Sequence, residues 1–133
     1  MRRTAVDTNI LARLLADVAS EEGRYAEALL ETSLIFVSKS VLMETEWILR
    51  TIMKIERTVV SEMMSALMEL RNVECEDVQD VRRAIEAHFH GMDFADAIHV
   101  LGSAKADLFV TFDKKLVKRA KQHFHDLTVE LAQ

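Results

Sequence analysis

Apolar residues recur along the chain with two alternating periods. Short runs such as LIFVS at 34–38 and LFVT at 108–111 have the length and composition of buried strands. Between them, apolar residues repeat every three or four positions, as in amphipathic helices. The alternation predicts a helix-rich α/β fold, a three-layer α/β/α sandwich with a short central parallel sheet. The predicted strands are 3–7, 34–38, 73–75, 108–111 and 127–131, and the predicted helices are 9–17, 21–32, 39–55, 58–71, 78–90, 93–105 and 114–122.

Capping signals support several of these boundaries. Ser20 and Asp77 stand where they can cap the helices that follow them, and Asp93 begins the helix of 93–105. Gly91 stands where the preceding helix should stop.

The composition is that of one compact domain, residues 1–133. Half of the residues are apolar and none is proline, so a packed core is expected rather than disorder. The single cysteine, Cys75, argues against a disulfide framework and for a reducing compartment, so the expected location is the cytoplasm. Its simplest interpretation is a small buried apolar residue on a strand. No apolar run approaches the ~18 residues of a membrane span.

Four acids stand where a ligand crevice is expected. Asp7 ends the first strand, Asp113 follows the strand at 108–111, and Glu44 lies early in the helix after the second strand. Crevices of open α/β sheets lie beyond the carboxyl ends of the strands. Asp96 follows a helix rather than a strand, but it lies in the first turn of its own helix.

Each acid also has a purely structural interpretation. Asp7 and Asp96 can serve helix caps or first turns. On the helix at 39–55, Glu44 lies at the edge of the core-facing stripe, where it needs a partner or a metal ion. On the same helix, Glu46, Arg50 and Lys54 fall together on a polar face, with Glu46 and Arg50 spaced as an ion pair.

Convergence of all four acids needs charge compensation. Two unit charges about 6 Å apart repel by roughly 3 kcal/mol at an effective dielectric of 20. Either some of the acids are protonated or cations lie among them. Oxygen ligands without cysteine or histidine favour Mg²⁺ or Mn²⁺.

Two further segments suggest binding surfaces. The net charge of −5 does not favour nucleic-acid binding, yet the predicted helix at 114–122 is strongly basic. The methionine-rich helix at 58–71 spreads its apolar residues over a wide arc, which suits either a helix between two core neighbours or a docking surface. The cations of the basic helix, either a solvated face or an RNA contact, are Lys114, Lys115, Lys118, Arg119 and Lys121.

The order of these motifs resembles the PIN-domain ribonucleases, in particular the VapC-type toxins of VapBC toxin–antitoxin pairs. AVDTNIL, VSKSVLMETEWILR, GMDFADAIHV and LFVTFDKKL are similar to the four acidic motifs of that family, in the same order over nearly the whole chain. The resemblance implies a PIN-like sandwich and Mg²⁺- or Mn²⁺-dependent hydrolysis of RNA. Its implied catalytic metal ligands are Asp7, Glu44, Asp96 and Asp113.

The resemblance also implies supporting residues and partners. Thr8 and Asn9 would hold the rotamer of Asp7 and cap the first helix, and Thr111 would orient Asp113. The implied substrate is transfer or ribosomal RNA, and the implied partners are a second copy in a homodimer and a cognate VapB-type antitoxin that obstructs the acidic site.

Two other functions remain open from the residues alone. A phosphatase of the haloacid-dehalogenase type also begins with an Asp at a strand end, but it normally has a second Asp two residues later, where this chain has Asn9. A non-catalytic interaction module would use its acids as caps and ion pairs, and its methionine-rich helix as the functional surface.

Overall fold

The structure, a computed structural model, describes residues 1–133. It contains five strands, seven α-helices and one π-helical turn, and no helix has the length and apolar character needed to cross a bilayer. In chain order the elements are β1 (Arg2–Ala5), α1 (Thr8–Ala16), α2 (Glu21–Thr32), β2 (Ser33–Val37), α3 (Lys39–Trp47), the π-helical turn (Ile48–Ile52), α4 (Arg57–Glu69), β3 (Val73–Cys75), α5 (Val78–Phe89), α6 (Phe94–Gly102), β4 (Phe109–Thr111), α7 (Lys114–His123) and β5 (Val129–Leu131).

The strands pair in parallel, in two hydrogen-bonded sheets. β2 lies between β1 and β3, with Ala5 opposite Phe36, and β4 pairs with β5, with Thr111 opposite Leu131. Parallel neighbours need long crossovers, and the helices between successive strands supply them. The predicted helix-rich α/β fold with a short parallel sheet is confirmed, with the hydrogen bonding divided between a three-stranded and a two-stranded sheet.

The largest difference from the predicted elements lies in the helix expected at 39–55. The α-helix ends at Trp47 and continues as the π-helical turn Ile48–Ile52. Within that turn the Thr51 hydroxyl donates to the Trp47 carbonyl oxygen at 2.6 Å, a local bond of the kind that bends helices. The segment contains no glycine or proline, so no breaker marks this change in the sequence.

Most of the predicted capping residues cap through their side chains. Ser20 and Asp93 each accept the backbone N–H three residues further on, at 3.0 Å. Gly91 follows α5 with φ +106°, as a helix stop requires. The prediction for Asp77 is wrong: it precedes α5, but its φ is +48° and its carboxylate pairs with Lys39 Nζ at 2.6 Å instead of capping the helix.

A charged network lies inside the core between α3, the π-helical turn, α4 and α5. Glu46 is 3% exposed, and its Oε2 accepts hydrogen bonds from His88 Nε2 at 2.9 Å and Arg50 Nε at 2.8 Å. The other ring nitrogen of His88 shares a hydrogen bond with the Ser61 hydroxyl. His88 and Ser61 are also buried. The network therefore joins four segments through polar contacts that are buried except at Arg50, whose side chain is 28% exposed.

This network corrects the predicted faces of α3. Glu46 is buried and Glu44 is exposed, so the prediction of a polar face formed by Glu46, Arg50 and Lys54 is wrong. The predicted pairing of Glu46 with Arg50 is confirmed. Burial favours the neutral acid, but hydrogen bonds from His88 and Arg50 outweigh it and hold the pKa of Glu46 below its ordinary value. A carboxylate with such partners can enter the core.

Cys75 ends β3 as a buried residue. Burial raises the pKa of its thiol to about 11, and the nearby charges of Glu76 and Asp77 act in the same direction. The thiol is therefore neutral at physiological pH, in agreement with the expected small apolar role.

Helix α4 uses only part of its wide apolar arc for the core. Val60, Met64, Leu67 and Met68 are buried. A second apolar stripe, at i, i+4, i+7 and i+11 spacing, faces solvent, with three exposed residues and one half-buried methionine. This outer stripe consists of Val59, Met63, Ala66 and Leu70.

Candidate active site

Asp7 lies at the junction of β1 and α1, as the sequence predicts, but it performs a different local task. Its side chain is the N-cap of α1, where Oδ1 accepts the Ile10 backbone N–H at 3.0 Å. Asn9 is exposed, and its side chain makes no hydrogen bond within the protein. The prediction that Thr8 or Asn9 caps this helix and holds Asp7 is therefore wrong. Asp7 fixes its own rotamer through the cap, and its Oδ2 remains free for a ligand.

Thr8 supports Glu44 instead. Thr8 is buried, and its hydroxyl donates to Glu44 Oε1 across the contact between α1 and α3. Glu44 is otherwise exposed and forms no ion pair. The contact places the Glu44 carboxylate beside the segment that begins with Asp7. Glu44 thus does have a partner, but the partner is a hydroxyl group and not a cation.

Asp96 and Asp113 share an open cleft of about 310 Å³ between α6 and α7. Asp93 lines the same cleft, but its carboxylate accepts the backbone N–H of Asp96 as the cap of α6. The Asp96 carboxylate accepts no hydrogen bond from the protein. Burial raises the pKa of Asp96, and the charges of Asp93 and Asp113 raise it further. The Asp93 and Asp113 carboxylates are therefore close enough to disfavour the charge of Asp96.

Asp113 also has a capping role. Its Oδ1 accepts the backbone N–H groups of Lys115 at 2.9 Å and Leu116 at 3.1 Å, at the start of α7. Thr111 Oγ1 accepts the Asp113 backbone N–H at 3.0 Å. Thr111 therefore shapes the turn that carries Asp113 but does not touch its carboxylate. The free oxygen of Asp113 remains available at the cleft.

The basic residues of α7 divide into two groups. Lys115 and Arg119 line the cleft that holds Asp96 and Asp113. The other three cations of the helix are exposed and lie outside the cleft lining: Lys114, Lys118 and Lys121.

The four predicted ligands are not neutralised by a neighbour, and they do not form one group. Asp96 and Asp113 share the cleft, whereas Asp7 and Glu44 are linked through Thr8. None of the four takes part in any ion pair of the structure. No three acidic, histidine or cysteine side chains lie close enough to hold one metal ion together. The donors are hard, partly free carboxylate oxygens, which fit Mg²⁺ or Mn²⁺ in chemistry but are not assembled into a single cluster.

Comparison with known families identifies the family to which the chain belongs. The family model described as PIN domain matches residues 4–122. The chain belongs to the PIN-domain family. No curated protein and no solved structure shows significant similarity to the chain. PIN domains are nuclease-type domains that typically use divalent metal ions, and membership therefore favours a nuclease over the phosphatase and the non-catalytic module.

The sequence patterns do not indicate one of the residues at the cleft of this PIN domain. Arg57, the first residue of α4, lines the cleft beside Asp93 and Asp96 although it lies almost 40 positions earlier in the chain. Its surroundings in sequence, KIERTVV, give only the signal of an ordinary helix start. A contact between segments so far apart depends on how α4 packs against the turn after α5, which periodicity does not specify.

Proposed function

We propose that this PIN domain is a Mg²⁺- or Mn²⁺-dependent endoribonuclease, and that it is the VapC-type toxin of a VapBC toxin–antitoxin pair. The observation that carries the proposal is that the carboxylates of Asp96 and Asp113 form no ion pair, although they share the cleft with the cations Lys115 and Arg119. Acids without cationic partners favour a bound cation, and cations without acidic partners favour a phosphate. A nucleic-acid backbone held with a divalent metal ion satisfies both.

The four predicted acids have distinct tasks in this proposal. In Asp7 and Asp113, Oδ1 accepts the hydrogen bond that caps a helix. This bond holds the carboxylate in place and leaves its second oxygen for a metal ion. Thr8 orients Glu44 as a further ligand. When bound, the metal ion supplies charge neutralisation at the phosphate and a lowered pKa for attacking water. Asp96, whose oxygens accept no bond from the protein, is positioned to accept the water's proton.

RNA is the proposed substrate because of the surface that adjoins the acids. The cations of α7 extend from the cleft along an exposed helix, a surface suited to a flexible phosphate backbone. Sequence-specific proteins read RNA mostly in single-stranded loops, where bases are accessible. A loop of transfer or ribosomal RNA is therefore the proposed target.

The test is cleavage of a defined RNA by the purified protein. We expect products from a 5′-labelled transfer RNA with Mg²⁺ or Mn²⁺, and no products when EDTA replaces the metal. The Asp96→Asn variant, purified in the same way, controls for contaminating nucleases. Cleavage that persists in EDTA, or that is equal in the variant, would contradict the proposal.

A homodimer and a VapB-type antitoxin are the proposed partners. The outer stripe of α4 (Val59, Met63, Ala66 and Leu70) has the spacing of a helix that packs against another helix, and we assign it to the contact with a second copy. The antitoxin would cover the acidic cleft and present a basic side chain to it.

Light scattering tests the dimer. We expect about twice the chain mass of 15.2 kDa for the wild type, and the monomer mass for a Val59→Glu, Leu70→Glu double variant. A Tyr25→Glu variant, at an exposed apolar residue of α2, is the control and should keep the dimer mass. A wild type that is monomeric at every concentration would eliminate the proposed dimer. Inhibition of RNA cleavage by the product of a neighbouring small reading frame would identify the antitoxin.

A further inference from the structure

Charges of both signs line the acidic cleft without forming ion pairs with one another. Three carboxylates, of Asp93, Asp96 and Asp113, face the side chains of Arg57, Lys115 and Arg119. None of these six takes part in any ion pair of the structure. Opposite charges in one cleft attract each other, and contacts that hold the side chains in place oppose their pairing. The contacts that hold the two arginines are therefore informative.

One turn of chain supports both guanidinium groups. Arg57 Nη1 donates to the carbonyl oxygen of Met92 at 3.1 Å. Arg119 lies against Gly91, where an added Cβ would be 3.3 Å from Nη2. Gly91 has φ +106°, which favours glycine, and the absence of a side chain leaves room for the Arg119 group. The turn between α5 and α6 thus contacts two cations that come from distant elements, α4 and α7.

Both arginines keep unused hydrogen-bond donors. A guanidinium group has five N–H donors, and Arg57 uses one nitrogen, on Met92. Arg119 makes one long bond to Gln122 at 3.4 Å, and its buried Nε has no partner in the protein. The remaining N–H donors on the Nη nitrogens of both arginines suit an anion with several acceptor oxygens.

The geometry points to Arg57 as a phosphate-binding residue of this site, which forms with Arg119 and Lys115 a subsite for a backbone phosphate of the RNA. The inference rests on the proposed function and deepens it. The subsite would hold a phosphate against the Gly91–Met92 turn, next to the carboxylates of Asp96 and Asp113. Arginine is suited to this task because its planar fork matches two phosphate oxygens. Arg57 would then set which phosphate of the strand meets the acids.

Binding of a labelled RNA at several salt concentrations tests the inference. The probe is a fluorescein-labelled single-stranded RNA, with Ca²⁺ in place of Mg²⁺ to slow cleavage, and the readout is anisotropy. We expect Arg57→Gln to weaken binding by about tenfold and to lower the slope of log affinity against log salt by roughly 0.7, the value for one phosphate contact on a single strand. Arg57→Lys should restore the slope but only part of the affinity, because lysine keeps the charge and loses the fork.

The matched control is Arg71→Gln. Arg71 is exposed and follows the opposite end of α4, about 20 Å away along a helix of 13 residues, and its substitution changes the net charge equally. Equal salt slopes for Arg57→Gln and Arg71→Gln would overturn the inference, as would a lowered melting temperature with an unchanged slope. In either case cleavage by the wild type would leave the proposed function standing. A wild type that neither binds nor cleaves RNA would overturn both.

Discussion

Replacement of Asp96 by asparagine is expected to lower the rate of metal-dependent RNA cleavage by at least ~100-fold while the protein remains folded. Loss of a general base such as the one proposed for Asp96 costs about 10²–10⁴-fold, and loss of a metal ligand should cost no less than the roughly 10–100-fold that follows loss of a group supporting one. The same result is expected for Asp7→Asn and Asp113→Asn. The measurement is the single-turnover rate at saturating Mg²⁺, together with a thermal melt.

Asparagine is the informative substitution because of the caps. Asp7 and Asp113 cap α1 and α7, so replacement by alanine would also remove about 0.5–2 kcal/mol of stability. Asparagine caps a helix as well as aspartate does. It therefore removes the charge and one ligand oxygen without unfolding the helix start.

Asp93→Asn is the matched control for Asp96→Asn. Both acids line the cleft and both lie at the start of α6, but Asp93 caps the helix and is not one of the four predicted ligands. We expect Asp93→Asn to retain most of the activity. Equal losses in both variants would mean that the total charge of the cleft matters and that Asp96 has no specific role.

The second large effect concerns stability. Glu46→Leu should destabilise the fold by about 3–5 kcal/mol, because it leaves Arg50 and the buried His88 without their carboxylate partner. This is a large part of the 5–15 kcal/mol that stabilises a typical domain. Urea unfolding followed by circular dichroism measures the change.

Glu44→Gln is the control within the same helix. Glu44 is exposed, so its substitution should change the free energy of unfolding by less than about 1 kcal/mol while it abolishes cleavage. Glu46→Gln should do the reverse, with a loss of stability and little change in the activity of the folded fraction. If Glu46→Leu costs less than 1 kcal/mol, the buried network contributes little to the fold.

The network also predicts a dependence on pH. The folded-state pKa of Glu46 lies below its ordinary value, so the ionised carboxylate stabilises the folded state above the unfolded pKa. That stability should be lost as the pH falls from the ordinary range of a glutamate through the lower folded-state value. Glu46→Gln should unfold with a weaker dependence on pH over the same interval. An identical dependence in both proteins would show that other groups cause the acid unfolding.

The positions of Asp7 and Asp113 relative to the strands before them could be predicted because they depend on chain order. Asp7 and Asp113 follow strands, and parallel strands in an α/β fold direct their carboxyl ends to a common region. The side chains that support the acids could not be predicted in the same way. Thr8 contacts Glu44 rather than Asp7, since α1 packs against α3, and nothing local to Thr8 indicates that contact.

The burial of α3 shows a second limit of periodicity. Helical angles place Glu46 and Arg50 on one face, and they do pair, but the angles do not show which face meets α5. His88 decides this, since its ring nitrogen gives the Glu46 carboxylate a partner inside the core. A polar pair then occupies a position that an apolar side chain would otherwise fill.

The sequence by itself determined the alternation of helices and strands, the parallel arrangement and the order of the four acidic motifs, because these follow from local periodicity and chain direction. The tertiary structure alone decided that Glu46 is buried, that Arg57 reaches the cleft, and that the four acids do not form one group. Each of these depends on contacts between segments far apart in the chain, and a helix with polar residues on more than one side does not specify its own neighbours.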